Sequence, residues 1–269
     1  MSLAPSPQAH VIKSRSVRGF SLEETIFAAR SSIAPHAHSK ALMCISLKGH
    51  CREHYGTKVR EYKPLTSSYL PIEVVHRLDF PDKELRAFSI DVSPQWASRM
   101  GEASLSLFES VYCDGGIMAN LFARLYREFH TADEASSLAI EGLAMEMLAE
   151  VSRQRVVLDR KPPVWLERVV DLLHSNFTET LKISSIADTV GVHPVHLARE
   201  FRKHYRCTVG EYIRQLRIQK ACTALSKSDV SLSDIASAAG FADQSHFGRT
   251  FKQFTGMTPA AYRSFSSAR

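Results

Sequence analysis

Two stretches near the C-terminus repeat each other at a spacing of 49–50 residues, and no other feature narrows the possible folds as much. Ile186-Ala187 followed by Gly191 returns as Ile235-Ala236 followed by Gly240, a shift of 49. His196-Leu197-x-Arg199-x-Phe201 returns as His246-Phe247-x-Arg249-x-Phe251, a shift of 50, and Thr208 and Tyr212 return as Thr258 and Tyr262 at the same shift. One residue has entered the second copy's turn; otherwise the register holds, as expected of a duplicated supersecondary unit. Each copy reads as a short helix, a glycine turn and a second helix. The small Ala before the turn lets two helices approach closely, and the Gly accepts the left-handed conformation that the turn requires.

The second helix of each copy is two-faced. Leu197/Phe201 and Phe247/Phe251, at i and i+4, point one side inward. The opposite side carries Arg199, Arg202 and Lys203 in the first copy and Gln244, Ser245, Arg249 and Lys252 in the second. Such a helix suits a DNA major groove, with side chains on base edges and flanking cations on phosphates. Ser231-x-x-Asp234 predicts a capped start for the second copy's first helix, whereas the matching Lys182 is a poor cap. Between the copies, residues 209–226 predict one continuous helix of roughly 27 Å, suited to holding two reading helices about one DNA turn apart. The alternative is a helical bundle whose repeats merely stack.

Charge follows the same division. Of 34 Lys+Arg and 28 Asp+Glu, residues 161–269 hold 15 and 9, so the whole excess of six (34 − 28) lies in the repeat-bearing part. A neutral front joined to a basic back predicts a polyanion partner at the back. The odd count of five cysteines, Cys44, Cys51, Cys113, Cys207 and Cys222, with no CxxC pair, favours a reducing compartment over a disulfide framework. The N-terminus lacks the order of a signal peptide, and no apolar run is long enough to span a membrane. A soluble, cytoplasmic protein is therefore expected.

The front half changes period once. Residues 1–35 begin with a loose Pro/Ser-rich start, and 36–92 read as strands, at 41–49, 58–62, 67–72 and 85–91. From Pro94 the spacing turns helical, with runs at 117–130 and 136–153. The second run is apolar enough either to cap its own domain or to form a homodimer seam. Two prolines in 159–164 mark a linker, and a stripe of Leu166, Val169, Val170, Leu173 and Phe177 opens the next helix. The expected organisation is a domain at 1–158 (strands 36–92, helices 94–155), the linker, and a DNA-binding domain at 165–269. Within the last, helix-turn-helix units fall at about 183–204 and 232–255, around the helix at 209–226.

Residues 164–265 resemble the AraC/XylS family of bacterial transcription regulators. The resemblance rests on IADTVGVHPVHLAREFRKHY, EYIRQLRIQKACTAL and, above all, IASAAGFADQSHFGRTFKQFTGMTPAAYR. It implies an α+β two-domain protein: a cupin-like β-barrel with flanking helices, then an all-α domain of seven helices with two helix-turn-helix units reading successive major grooves. By position it implies base-reading roles for Val195, Ala198, Arg199, Gln244, Ser245, Gly248 and Arg249, and phosphate contacts for Arg202 and Lys252. Arg199 and Arg249 have an alternative as salt-bridge partners within the domain. The implied partners are promoter DNA, RNA polymerase and an unidentified small-molecule effector, with activation the commoner outcome in the family.

The front half resembles the cupin-like effector domain through PHAHSKALMCISLKG, REHYGTKVREY and LPIEVVHRLDF. In cupin enzymes an HxH, a following Glu and a later His bind metal. Here His36, His38 and His76 occupy the histidine positions, while the acid position falls near Leu42. The three histidines are read as effector-pocket candidates, with no metal, cofactor or catalytic residue assigned; a three-nitrogen site stays open as an alternative. Two rival classes remain: a metal-dependent cupin enzyme with a DNA-binding tail, which metal analysis would reveal, and an architectural binder, which steep salt dependence without site discrimination would reveal.

Overall fold

The computed structural model describes residues 9–94, 96, 110–131, 133–158, 162–226 and 229–267. The chain divides into two compact units, Met1–Asp114 with Leu121–Ser152, and Gly115–Asn120 with Arg153–Arg269. The cupin-like and all-α halves implied by the resemblance are both present.

The first unit contains β1 (Ala9–Val17), β2 (Phe20–Phe27), β3 (Ser31–His36), β4 (Ala41–Lys48), β5 (Cys51–Tyr55), β6 (Lys58–Tyr62), β7 (Thr66–Leu70), β8 (His76–Phe80), β9 (Leu85–Val92) and β10 (Val111–Asp114). They form two sheets in the orders β1-β2-β9-β4-β7-β10 and β3-β8-β5-β6, every pair antiparallel. Strands thus begin at Ala9, earlier than the stretch from 36 read in the sequence, and β10 falls where only helix was expected. The reason for the first miss is burial. β1 is an edge strand that is mostly exposed, so its residues carry little apolar alternation, and only the Arg18-Gly19 turn with both φ positive marks the hairpin.

Two helices follow, α1 (Gly116–Thr131) and α2 (Ser136–Leu158). The period of two along β9 divides its side chains cleanly. Leu85, Ala87, Ser89 and Asp91 line a cavity, while Phe88 turns the other way and meets the rings of Phe122, Tyr126 and Phe129 on α1 at 5.0–6.3 Å. Beside it, Glu24 on β2 is fully buried and binds Arg86 Nε (2.8 Å), Tyr126 Oη (2.8 Å) and His130 Nε2 (3.1 Å). Burial raises its pKa, but the bonds from His130, Tyr126 and Arg86 outweigh that and hold the carboxyl below its usual value. On α2, Ile140, Leu143, Ala144, Met147, Leu148 and Val151 are buried within the single chain, while Leu138 is 69% exposed.

The second unit carries seven helices among the described residues: α3 (Val164–Asn176), α4 (Ile183–Val190), α5 (Pro194–Tyr205), α6 (Val209–Leu225), α7 (Leu232–Ala238), α8 (Gln244–Thr255) and α9 (Pro259–Ser267). Residues 159–161 of the expected linker lie outside the described residues; Pro163 precedes α3 in an extended conformation. Leu166, Val169 and Leu173 of α3 pack with Ile186, Ala187, Leu197 and Phe201 into one core, with Val170 and Phe177 at its margin.

Candidate nucleic-acid interface and effector cavity

The two halves of the repeat adopt matching geometry. Gly191 (φ 70°) and Gly240 (φ 87°) are both left-handed. The residue after each glycine donates its N–H back into the helix before it, Val192 to Ala187 O (3.0 Å) and Phe241 to Ala236 O (2.9 Å). Fifty residues apart, His193 and Asp243 cap the second helices: His193 Nδ1 accepts from Val195 N, and Asp243 Oδ1 accepts from His246 N. Arg206 and Gly256, again fifty apart, end those helices in the same left-handed turn. The T-shaped ring pairs Phe201–Tyr212 (5.5 Å) and Phe251–Tyr262 (5.2 Å) repeat as well. Ser231 caps α7, accepting from Asp234 N at 3.1 Å, while Lys182 gives α4 no side-chain cap.

Leu197, Phe201, Phe247 and Phe251 are fully buried, which fixes the outward face of α5 and α8. That face exposes Val195, Ala198, Arg199 and Arg202 on α5, and Gln244, Ser245, Arg249 and Lys252 on α8; Gly248 is half-buried. The two arginines differ. Arg199 lies 3.1 Å from His196 Nδ1 and 3.5 Å from Glu200 Oε1, whereas Arg249 makes no hydrogen bond or ion pair among the described residues. The salt-bridge alternative therefore has local partners at Arg199 and none at Arg249.

Between the copies runs α6, which opens with a capping box that the sequence reading passed over, although Thr208-x-x-Glu211 spells it. Thr208 Oγ1 accepts from Glu211 N (3.2 Å), and Glu211 Oε2 accepts from Thr208 N (2.7 Å). Midway along, Arg217 donates to Phe177 O (2.7 Å) and Glu179 O (2.8 Å). Thr178 between them packs against Gly240, where an added Cβ would lie 2.4 Å from Thr178 O. The α3–α4 loop thus touches both the connecting helix and the second unit's turn.

In the first unit a cavity of about 320 Å³ lies between the two sheets. Inward-phase residues of β2, β4 and β9 form one wall; Ile33, Cys51, Glu53, Tyr62, Leu78 and the three predicted histidines belong to the other. Strand pairing sets His36 opposite His76, and His38 follows two residues on. His76 Nε2 lies 3.0 Å from His36 Nε2 and 3.1 Å from His38 Nε2. Burial, with the neighbouring histidines, pulls His38 down to about 4. Burial likewise lowers His36 and raises the Cys44 thiol to about 11, keeping that group protonated at neutral pH.

Comparison with known proteins places these features. Residues 21–148 match the family model described as AraC-like ligand binding domain, and residues 186–264 the model described as Helix-turn-helix domain. The probable transcription factor PqrA of Proteus vulgaris is 41% identical over 85 residues, 32% of this chain and 70% of that protein. The chain belongs to the AraC/XylS family. The bifunctional transcriptional activator/DNA repair enzyme AdaA of Bacillus subtilis (strain 168) is 36% identical over 102 residues, 38% of this chain and 48% of AdaA, so the chain spans about half the length of that relative. An AraC-type transcriptional regulator structure from Chromobacterium violaceum aligns at 29% identity and a TM-score of 0.37, covering 38% of this chain and 92% of that one.

Against the AraC/XylS background, one residue of the cavity was missed. Leu42, at the position where cupin enzymes carry an acid, lines the cavity as a plain apolar side chain. A carboxylate does reach the histidines, from β5 instead. Glu53 is buried, its Oε1 accepts from His76 Nδ1 at 2.7 Å, and its Oε2 accepts from Tyr62 Oη at 3.0 Å. The signal was the inward phase that Glu53 shares with Cys51. No helix among the described residues is long and apolar enough to cross a membrane.

Proposed function

We propose that this AraC/XylS member is a sequence-specific DNA-binding transcription regulator that acts at promoters in the cytoplasm. In this reading α5 and α8 enter successive major grooves on one face of the duplex. Val195, Ala198, Arg199, Gln244, Ser245, Gly248 and Arg249 read bases, while Arg202 and Lys252 meet phosphates. The observation that carries the reading is the duplicated helix-turn-helix, whose two second helices present exposed polar and basic faces opposite fully buried aromatic and aliphatic ones.

The domain boundary falls in the 159–164 linker. The cavity between the sheets takes a small-molecule effector, with His36, His38 and His76 at its polar end. An effector shifts DNA affinity by as much as it prefers one of the regulator's states. The chain activates transcription through RNA polymerase rather than acting as an enzyme. A homodimer forms through the first unit, with Leu138 on α2 an exposed apolar contact.

Selection of bound fragments from a random DNA pool at physiological salt tests the core of this reading. The expected outcome is a motif of two blocks about 10 bp apart. Recovery without a shared motif, both with and without added metabolite extract, defeats sequence specificity.

A further inference from the structure

The cavity between the sheets carries more negative charge than its own groups neutralise. Glu23, Glu53 and Asp91 line it, with Lys40 as the lysine set against them. Burial holds His36 and His38 below their usual value, so both are uncharged at neutral pH. Glu53 is engaged by His76 and Tyr62. Glu23 and Asp91 differ: neither side chain makes a hydrogen bond or close ion pair among the described residues. In the β2–β9 register Ser89 stands opposite Glu23 and Asp91 opposite Ser21. The two carboxylates are therefore diagonal neighbours on the cavity face, at a spacing of roughly 7–8 Å that their side chains can close. Burial raises Asp91 to about 6; Lys40 opposes that shift and Glu23 adds to it.

A second unsatisfied group lies farther along the same wall. Ser46 shares the inward phase of Leu42 and Cys44 on β4 and is 2% exposed, yet its Oγ has no hydrogen-bond partner among the described residues. Ser46 pairs with Ala87. Its row is thus two residues from the Glu23–Ser89 row and four from Asp91, or roughly 7 and 14 Å along the strands. Ile33 and Leu78 line the cavity from the opposite sheet.

We propose that the effector is an organic cation: an amine with an apolar body, its ammonium held by Glu23 and Asp91 and a hydrogen-bonding group at its far end met by Ser46. This rests on the effector-cavity reading and names the chemistry of the ligand. An anion would bring a third negative charge to the two carboxylates, and a neutral molecule would leave their repulsion in place. An ammonium relieves it and donates charge-assisted hydrogen bonds to both. The volume of about 320 Å³ suits a small amine rather than a peptide.

The full chain is titrated at pH 7.5 with amines, alcohols and carboxylates matched on phenylethyl, indolylethyl and hexyl bodies, read by calorimetry and thermal melting. Amines should bind more tightly than their matched alcohols, and carboxylates least. Glu23→Gln/Asp91→Asn should weaken every amine by about tenfold or more. Without ligand, Asp91→Asn alone should melt no lower than the parent, because it removes an ionised group that the fold disfavours. Ser46→Ala should weaken 4-hydroxyphenylethylamine and leave phenylethylamine unchanged. Carboxylates that bind as well as the amines overturn the cationic class, as does a double variant that keeps parental affinity or a panel in which no amine binds. A lower ligand-free melt for Asp91→Asn overturns the unpaired carboxylate, and equal losses for the two phenylethylamines overturn the role of Ser46. The effector-cavity reading is judged separately, by whether Ala87→Leu, which fills the cavity, abolishes the response of DNA binding to metabolite extract.

Discussion

At the scale of single residues, the two faces of α8 make separable demands. Arg249 is exposed and unengaged among the described residues, so its guanidinium is available to a base edge. Arg249→Ala should cost ~1–3 kcal/mol of binding and relax preference at one base pair, whereas Lys252→Ala should weaken all sequences alike and flatten the salt dependence by about one charge. Parallel binding curves on a matched set of sites distinguish the two; equal losses across all sites for both variants would refute the assignment. Glu24 makes a residue-scale prediction for stability. Its pKa is held below 4.5, so its contribution is present above that value and disappears as pH falls through the lowered one. Glu24→Gln removes the buried carboxylate charge that Arg86, Tyr126 and His130 contact and should cost about 3 kcal/mol at neutral pH. It should also remove part of the acid sensitivity below pH 4.5, as read by urea melts at pH 7 and pH 3.5.

At the scale of elements, the equivalent glycines of the two repeats are not equally replaceable. Both have positive φ, so any side chain incurs the left-handed penalty of ~1–2 kcal/mol. Gly191 has open space around it, while a Cβ at Gly240 would collide with the Thr178 backbone. Gly191→Ala should stay within that penalty, and Gly240→Ala should exceed it clearly; thermal melts showing equal losses would contradict the packing argument. Elements also differ in how far the sequence revealed them. The helix-turn-helix units were legible because their apolar residues, caps and glycines obey local rules, and the copies corroborate one another. β1 and β2 were not, because an exposed edge strand leaves no alternating pattern and its pairing partner β2 pairs in turn with β9, roughly sixty to seventy residues away. Glu53 shares its inward phase with Cys51, but its pairing with His76 was not legible for a related reason: His76 lies 23 residues on, and only the sheet register unites them.

On the scale of the whole molecule, α2 shows what the amino-acid pattern alone leaves undivided. Its apolar run suited either a domain cap or a subunit seam, and the buried side chains from Ile140 to Val151 show that most of it is already covered within one chain. The second unit bears on promoters in a different way. Arg217 fastens the connecting helix to the loop at Phe177–Glu179, and that loop abuts the turn at Gly240. A regulator built like this carries its spacing rule in protein rather than in DNA. Inserting one base pair between the two half-site blocks turns them about 34° relative to each other, and a stiff reader should lose at least tenfold in affinity. An insertion tolerated without loss would mean that the rod bends. Among promoters under its control, drift should therefore accumulate in the letters of the gap and hardly ever in its length.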